Sequence, residues 1–165
     1  MEDEPDRGTD ASHAPVTLPW SVSNELTEDE RETIYRWLSE ESYWAKGLPR
    51  SVFERSLLGS LCFVLRDGSA AVRGFARVVT DRATFAYLAD VFVESGARGG
   101  GVGKALMKSI LAHPDLQGLR RWLLATRDAH GLYRQFDFEP LRSPEIYMQR
   151  HDPDVYARLN RFSDE

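Results

Sequence analysis

Cysteine is almost absent from the chain: Cys62 is the only one in 165 residues. A lone thiol excludes an internal disulfide framework and a zinc centre built on cysteines. It lies in the apolar run Leu61-Cys62-Phe63-Val64-Leu65, the setting of a buried, inert thiol. Long apolar runs are missing too. None approaches the ~20 residues of a membrane-spanning helix, and the N-terminus lacks the apolar core of a signal peptide. Positive charge is not in surplus: 21 Lys and Arg stand against 26 Asp and Glu, a net charge of −5. No global basic field advertises nucleic acid. These absences predict a soluble, cytoplasmic protein with no metal centre and neither a membrane nor a nucleic acid as partner. What is present is enough for a core. Hydrophobic residues make up 42% of a chain whose length suits one domain.

Residues 1–15 are rich in Asp, Glu, Ser, Gly and Pro and read as a disordered arm. Residues 16–150 read as the domain, and 151–165 as a charged tail with one helical turn around Val155, Tyr156 and Leu159. Within the domain, residues 20–24 alternate weakly as a first strand. Thr27 and Glu30 fit a capping box, opening a helix that runs to about Glu41 with Ile34, Trp37 and Leu38 as its apolar stripe. Residues 52–58 predict a second helix. Strands are expected at 61–66, 71–80, 85–93 and 121–126, and short helical structure at 129–136. One or two late strands, including 146–149, complete the pattern. The order predicts an α/β fold on a mixed sheet, without internal repeats.

The most informative stretch is residues 88–112, LADVFVESGARGGGVGKALMKSILA. An apolar, β-branched run ends in a short turn. Arg98-Gly99-Gly100-Gly101-Val102-Gly103-Lys104 follows, and after Gly103 the spacing becomes helical, with Ala105, Leu106, Ile110 and Leu111 on one face. Glycines allow close backbone approach, and a helix start offers unpaired N–H groups with a positive dipole end. Strand, glycine turn and helix in that order bind phosphate, unless the turn is only a surface loop. A Walker A loop is excluded, because Gly103-Lys104 is followed by Ala105 and the position five before Gly103 is Arg98. The dinucleotide fingerprint fails at Lys104 or Leu106, depending on the starting glycine.

Arg98, Gly101 and Gly103 do satisfy Arg/Gln-x-x-Gly-x-Gly/Ala, which resembles the acyl-CoA pyrophosphate loop of the GNAT N-acyltransferase superfamily. A second segment, His130-Gly131-Leu132-Tyr133-Arg134-Gln135-Phe136-Asp137-Phe138, resembles the family's late tyrosine helix followed by a Gly-Phe pair. The element order resembles the family's over about residues 18–150. Two positions depart. Asp137 replaces the usual glycine, which implies a differently built turn. Thr126 replaces an asparagine that commonly contacts the coenzyme.

The resemblance implies a GNAT-like fold, a mostly antiparallel sheet with a splayed parallel pair and helices on both faces. It implies acetyl-CoA as co-substrate, held by Phe92, Val93, Arg98, Gly99, Gly100, Gly101, Val102, Gly103 and Lys104. A backbone N–H near Val93 would polarise the thioester carbonyl. The implied activity is N-acetylation of a primary amine on a small molecule by direct attack. The alternatives are a non-catalytic acyl-CoA-binding or regulatory module of the same fold, or a protein or peptide N-acetyltransferase. A homodimer is a possible assembly.

Acyl transfer to an amine also needs a base and an acid. Tyr133 is expected to protonate the departing thiolate, the alternative being an aromatic packed in the core. Asp90, an acid inside an apolar strand, reads either as base or amine anchor, or as a structural aspartate. Asp128 and His130 form a second candidate group beside Tyr133, or else cap and pack the short helix. Tyr87 is placed to order a water. Tyr43 and Trp44, near Glu40 and Glu41, suit a cationic amine. They equally suit a solvated helix end with two buried rings.

Overall fold

The apolar runs of the sequence become a five-stranded sheet in the computed structural model, which describes residues 19–163. The acidic arm of residues 1–15 lies outside the described residues. The strands are β1 (Ser21–Ser23), β2 (Leu61–Arg66), β3 (Val72–Thr80), β4 (Phe85–Val93) and β5 (Arg121–Leu124). They stand side by side in chain order; the first three pairings are antiparallel and β4–β5 is parallel. Helices α1 (Glu28–Arg36), α2 (Arg50–Leu58), α3 (Val102–Leu111), α4 (His130–Tyr133) and α5 (Val155–Ser163) surround it.

Helix α1 begins as its sequence predicts. The Thr27 hydroxyl accepts from the Glu30 N–H, and the Glu30 carboxylate accepts from the Thr27 N–H. The same Glu30 receives the guanidinium of Arg66 from β2, so the cap also fixes the helix to the sheet and holds the Glu30 carboxyl below its usual range. Past Arg36 the helix continues to Glu41 as a wider π-turn. That turn carries Trp37 and Leu38 into the core and delivers Tyr43 and Trp44 to the open end of the sheet.

Two cores lie on opposite faces of the sheet. One joins Phe63, Leu65, Val78 and Leu88 to Val102, Leu106 and Ile110 of α3. The other joins Val64, Phe75 and Phe92 to Ile34, Leu38 and Phe53 of the first two helices. Helix α3 approaches β3 closely. A Cβ on Gly74 would lie 2.8 Å from Val102 Cγ1 and 2.9 Å from Leu106 Cδ1, so glycine alone fits there without repacking. Cys62 is buried, and that burial pushes its thiol up to about 11, as expected of an inert cysteine.

A bulge in β4 decides which side chains face which core. Phe75 pairs with Phe92 and Arg77 with Ala89, so Ala76 alone faces both Asp90 and Val91. Asp90 takes a left-handed φ of 52° to make the extra step. Parity therefore switches. Ala86 and Leu88 face α3 before the bulge, Val91 and Val93 after it, and Phe92 turns to the opposite core.

Three expectations need correction at the C-terminal end. The late strands do not form: Pro144–Ile146 is a single 3₁₀ turn, and Ile146 and Met148 point to solvent. Pro140 and Pro144 remove the N–H groups that a strand beside β5 would have to donate. Residues 125 and 126 fall outside β5, which is four residues long. The tail is no single turn but the nine-residue α5, docked through Tyr156 onto the Phe92 core and through Asn160 Nδ2 to the Gly47 carbonyl at 3.0 Å.

Candidate active site

Strands β4 and β5 run together only from Phe85–Arg121 to Leu88–Leu124. Beyond Leu88, β4 continues through its bulge while β5 ends, and the edge of β4 that faces β5 loses its strand partner. A cleft of about 470 Å³ opens at this fork, between Asp90 on β4, Thr126 to Ala129 after β5, Tyr133 on α4, and Tyr43, Trp44 and Tyr87. Unpaired strand edge at a splay is where a carbonyl can meet a backbone N–H donor.

Asp90 lines this cleft, clamped from two sides. Arg77 Nε donates to Oδ2 at 2.8 Å, and Trp44 Nε1 donates to Oδ1 at 3.0 Å. Arg77 is fixed in turn by Ser60 Oγ at 3.0 Å. Arg77 carries no role in the sequence reading, although the signal was there. An arginine and an aspartate each interrupt an apolar strand, and neighbouring strands bring such residues together as a pair.

Tyr133 is 7% exposed and its ring meets Phe138. Burial, with smaller contributions from Tyr43 and the negative charge of Asp128, pushes its phenol up to about 12. Its hydroxyl has no hydrogen-bond partner among the described residues, yet no buried side-chain oxygen or nitrogen there lacks one. The hydroxyl therefore touches solvent, and Tyr133 lines both the cleft and a neighbouring cavity of about 600 Å³.

The second group expected beside Tyr133 divides. Asp128 lines the cleft, whereas His130 is exposed and lines that adjoining cavity behind β5, which shares Ala125, Thr126 and Tyr133 with the cleft. Neither residue caps α4. Thr126 Oγ1 accepts the Ala129 N–H at 3.0 Å and that of Asp128 at 3.4 Å, which is what its hydroxyl does in place of the asparagine amide. Asp137 adopts the left-handed φ of 63° that glycine would take, so the turn keeps a glycine's geometry.

Tyr43 and Trp44 are both about two-fifths exposed and meet edge to face at 4.9 Å. Arg127 stacks its guanidinium 4.5 Å from the Tyr43 ring centre, and its N–H donates to the Tyr43 hydroxyl at 3.1 Å. Glu40 and Glu41 are exposed and do not line the cleft.

At the other end of β4, Val93, Arg98, Gly99, Gly101, Gly103 and Lys104 line a cavity of about 360 Å³. Gly101 caps α3 with φ 89°, and space is open where its Cβ would be. An exposed helix start flanked by Arg98 and Lys104 fits a pyrophosphate. Arg98 is anchored by its Nε to the Val93 carbonyl at 3.2 Å and lies over Phe92. Val102 and Phe92 bury their side chains in the two cores, leaving only backbone for a ligand. Gly100 does not line this cavity. Leu132 lines the loop cavity and its neighbour Tyr133 lines the cleft, so α4 links the two.

A mixed sheet forked beside a glycine-rich helix start is the frame that comparisons with known proteins match. The model of the acetyltransferase (GNAT) domain matches residues 59–140. A GNAT-family protein of Xanthomonas campestris pv. campestris is 45% identical and superposes with a TM-score of 0.78, covering 84% of this chain and 96% of that one. A Gibberella zeae protein named as a putative acetyltransferase is 32% identical, with 58% of this chain and 69% of that protein covered. The chain belongs to the GNAT acetyltransferase family. AAC(6')-Iy, solved with the bisubstrate analogue CoA-S-monomethyl-acetylneamine, is 17% identical with a TM-score of 0.57, covers 80% of this chain and 99% of its own, and shares the fold. Among the described residues, no helix is long and apolar enough to cross a membrane.

Proposed function

We propose that this chain is an acetyl-CoA-dependent N-acetyltransferase that acetylates the primary amine of a small molecule by direct attack. One observation carries the reading: Tyr133 and Asp90 line the same cleft at the fork of β4 and β5. A binding module has no use for a buried phenol that lines that cleft.

Acetyl-CoA supplies the acetyl group as a thioester. Residues 98–104 hold its pyrophosphate through backbone N–H groups and the Arg98 and Lys104 charges. The unpartnered edge of β4 polarises the carbonyl. Asp90, held rigid by Arg77 and Trp44, anchors the amine and receives its proton directly or through water. As the C–N bond forms and the C–S bond breaks, Tyr133 gives its proton to the departing sulfur. A phenol pushed up to about 12 is fully protonated at neutral pH and is an acid, not a base, there.

The test is a thiol-release assay with acetyl-CoA against polyamines, amino acids, aminoglycosides and peptides. Turnover with a small amine supports the reading. Turnover with peptides alone favours a protein acetyltransferase, and acetyl-CoA binding without turnover on any acceptor favours the non-catalytic module.

A further inference from the structure

Resting on that reading of the cleft, we propose that its acceptor is an amine that also carries an anionic group, a carboxylate or phosphate, and that Arg127 binds this group. Two of the features able to attract a cation, Asp90 and the Tyr43 ring, are already engaged by arginines of the protein. The Asp90 carboxylate is paired with Arg77 at 2.8 Å. One face of Tyr43, the seat for a cation–π contact, is covered by Arg127 at 4.5 Å. The indole N–H of Trp44 is spent on Asp90. With Asp90 and Arg77 cancelling, the cleft walls retain one cation, Arg127, and one anion, Asp128.

Arg127 is exposed and makes no ion pair among the described residues, while eight other arginines there pair with ten carboxylates. Its position is fixed from both ends, by the stack on Tyr43 and by its backbone N–H on the same ring's hydroxyl. The guanidinium, seated over the ring, donates none of its N–H groups to another described residue, which leaves them for a planar or tetrahedral anion. A polycation meets no unpaired carboxylate here except Asp128, and must pass Arg127 to reach it. An acceptor with an amine for the carboxylate side of the cleft, Asp90 backed by Asp128, and an anion for Arg127 matches these charges.

The experiment compares matched acceptors with acetyl-CoA at saturation: phenylalanine against phenylalaninamide, phosphoethanolamine against ethanolamine, and spermidine. Wild-type protein is expected to prefer at least one anionic member over its partner by about tenfold in kcat/KM, a charged hydrogen bond discounted for an exposed site. The pair showing the preference identifies carboxylate or phosphate. Arg127→Gln is expected to shrink that ratio through KM, Arg127→Lys to retain part of it, and added salt to weaken it in wild type. Turnover with spermidine or the amines that lack an anionic group at equal or higher kcat/KM overturns this inference and leaves the acetyltransferase reading standing. An unchanged ratio in Arg127→Gln also overturns it. Binding of acetyl-CoA with no turnover on any amine removes both.

Discussion

Asp90 and Arg77 meet across the bulge of β4, carboxylate to guanidinium at 2.8 Å, each side chain less than one-fifth exposed. The pair holds the strand at the one residue where its backbone turns left-handed, φ 52°. Asp90 thus has a structural duty and a place in the cleft, and the two separate by substitution. Asp90→Asn keeps a side chain that tolerates this φ but leaves Arg77 without its counter-charge, a loss of about 1–3 kcal/mol. Asp90→Ala adds about 1–2 kcal/mol of backbone strain, so its Tm is expected to fall further. If Asp90 also anchors the amine, Asp90→Asn lowers kcat/KM for the acceptor and leaves acetyl-CoA affinity nearly intact. Equal damage to both affinities, tracking the Tm loss, makes Asp90 a structural residue only.

Strands β2 and β4 were readable because their apolar runs end at turn residues, and the loop after β4 because its glycines precede helical spacing. The capping box at Thr27 was readable because both of its contacts lie within four residues. What escaped were relations between distant segments. Asp90 stood out as an acid in an apolar strand, but its partner depended on the register of β3. Tyr43 and Trp44 suited either a cationic amine or a helix end with packed rings, and nothing local reveals that Arg127, 84 residues away, lies over the Tyr43 ring. Apolar alternation at 146–149 looks like a strand, but a strand also needs a donor edge, which nearby prolines deny. Helix α5 was underestimated because its docking contacts, Tyr156 and Asn160, are single residues in a charged stretch.

Asp137 holds a glycine's conformation with an aspartate's Cβ, at φ 63°. No compensating side-chain hydrogen bond holds it there among the described residues. Asp137→Gly is expected to stabilise the fold by roughly 0.5–1 kcal/mol, the relief of left-handed strain less glycine's greater freedom when unfolded. Thermal unfolding reads this as a rise in Tm. A fall instead would mean that the carboxylate contributes an interaction in solution that outweighs the strain.

Gly101 differs from Gly74 in what it forbids. Space is open around it, so the constraint is its φ of 89° and not crowding. Gly101→Asn, which tolerates the left-handed region, should therefore cost less stability than Gly101→Ala, for which about 1 kcal/mol is expected. Gly101→Glu places an anion at the helix start and should abolish acetyl-CoA binding in calorimetric titration while the protein stays folded. Retained affinity in folded Gly101→Glu would place the pyrophosphate elsewhere.

Tyr133 is the acid of the proposed transfer. A phenol that protonates a departing thiolate matters only as the C–S bond breaks, so removing its hydroxyl should cost rate and not ground-state binding. General acids contribute about 10²–10⁴-fold, and Tyr133→Phe should lower kcat by a factor within or somewhat below that range. The ring and its contact with Phe138 remain, and no hydrogen bond among the described residues is lost, so Tm should hardly move. The pH dependence follows from the sign of the shift. Burial raises the phenol from 10.0 to about 12, which favours the protonated form in the folded protein. The corresponding stability is complete below about pH 10 and is lost as pH rises through about 12. Within the assay range the phenol stays protonated, so Tyr133 should add no alkaline limb to kcat below about pH 10. The measurement is the kcat–pH profile of wild type and Tyr133→Phe beside their melting temperatures, with acetyl-CoA saturating. A kcat within about twofold of wild type would make Tyr133 a packing residue and move the search for the acid elsewhere, with His130, which shares a cavity with Tyr133, the next residue to substitute.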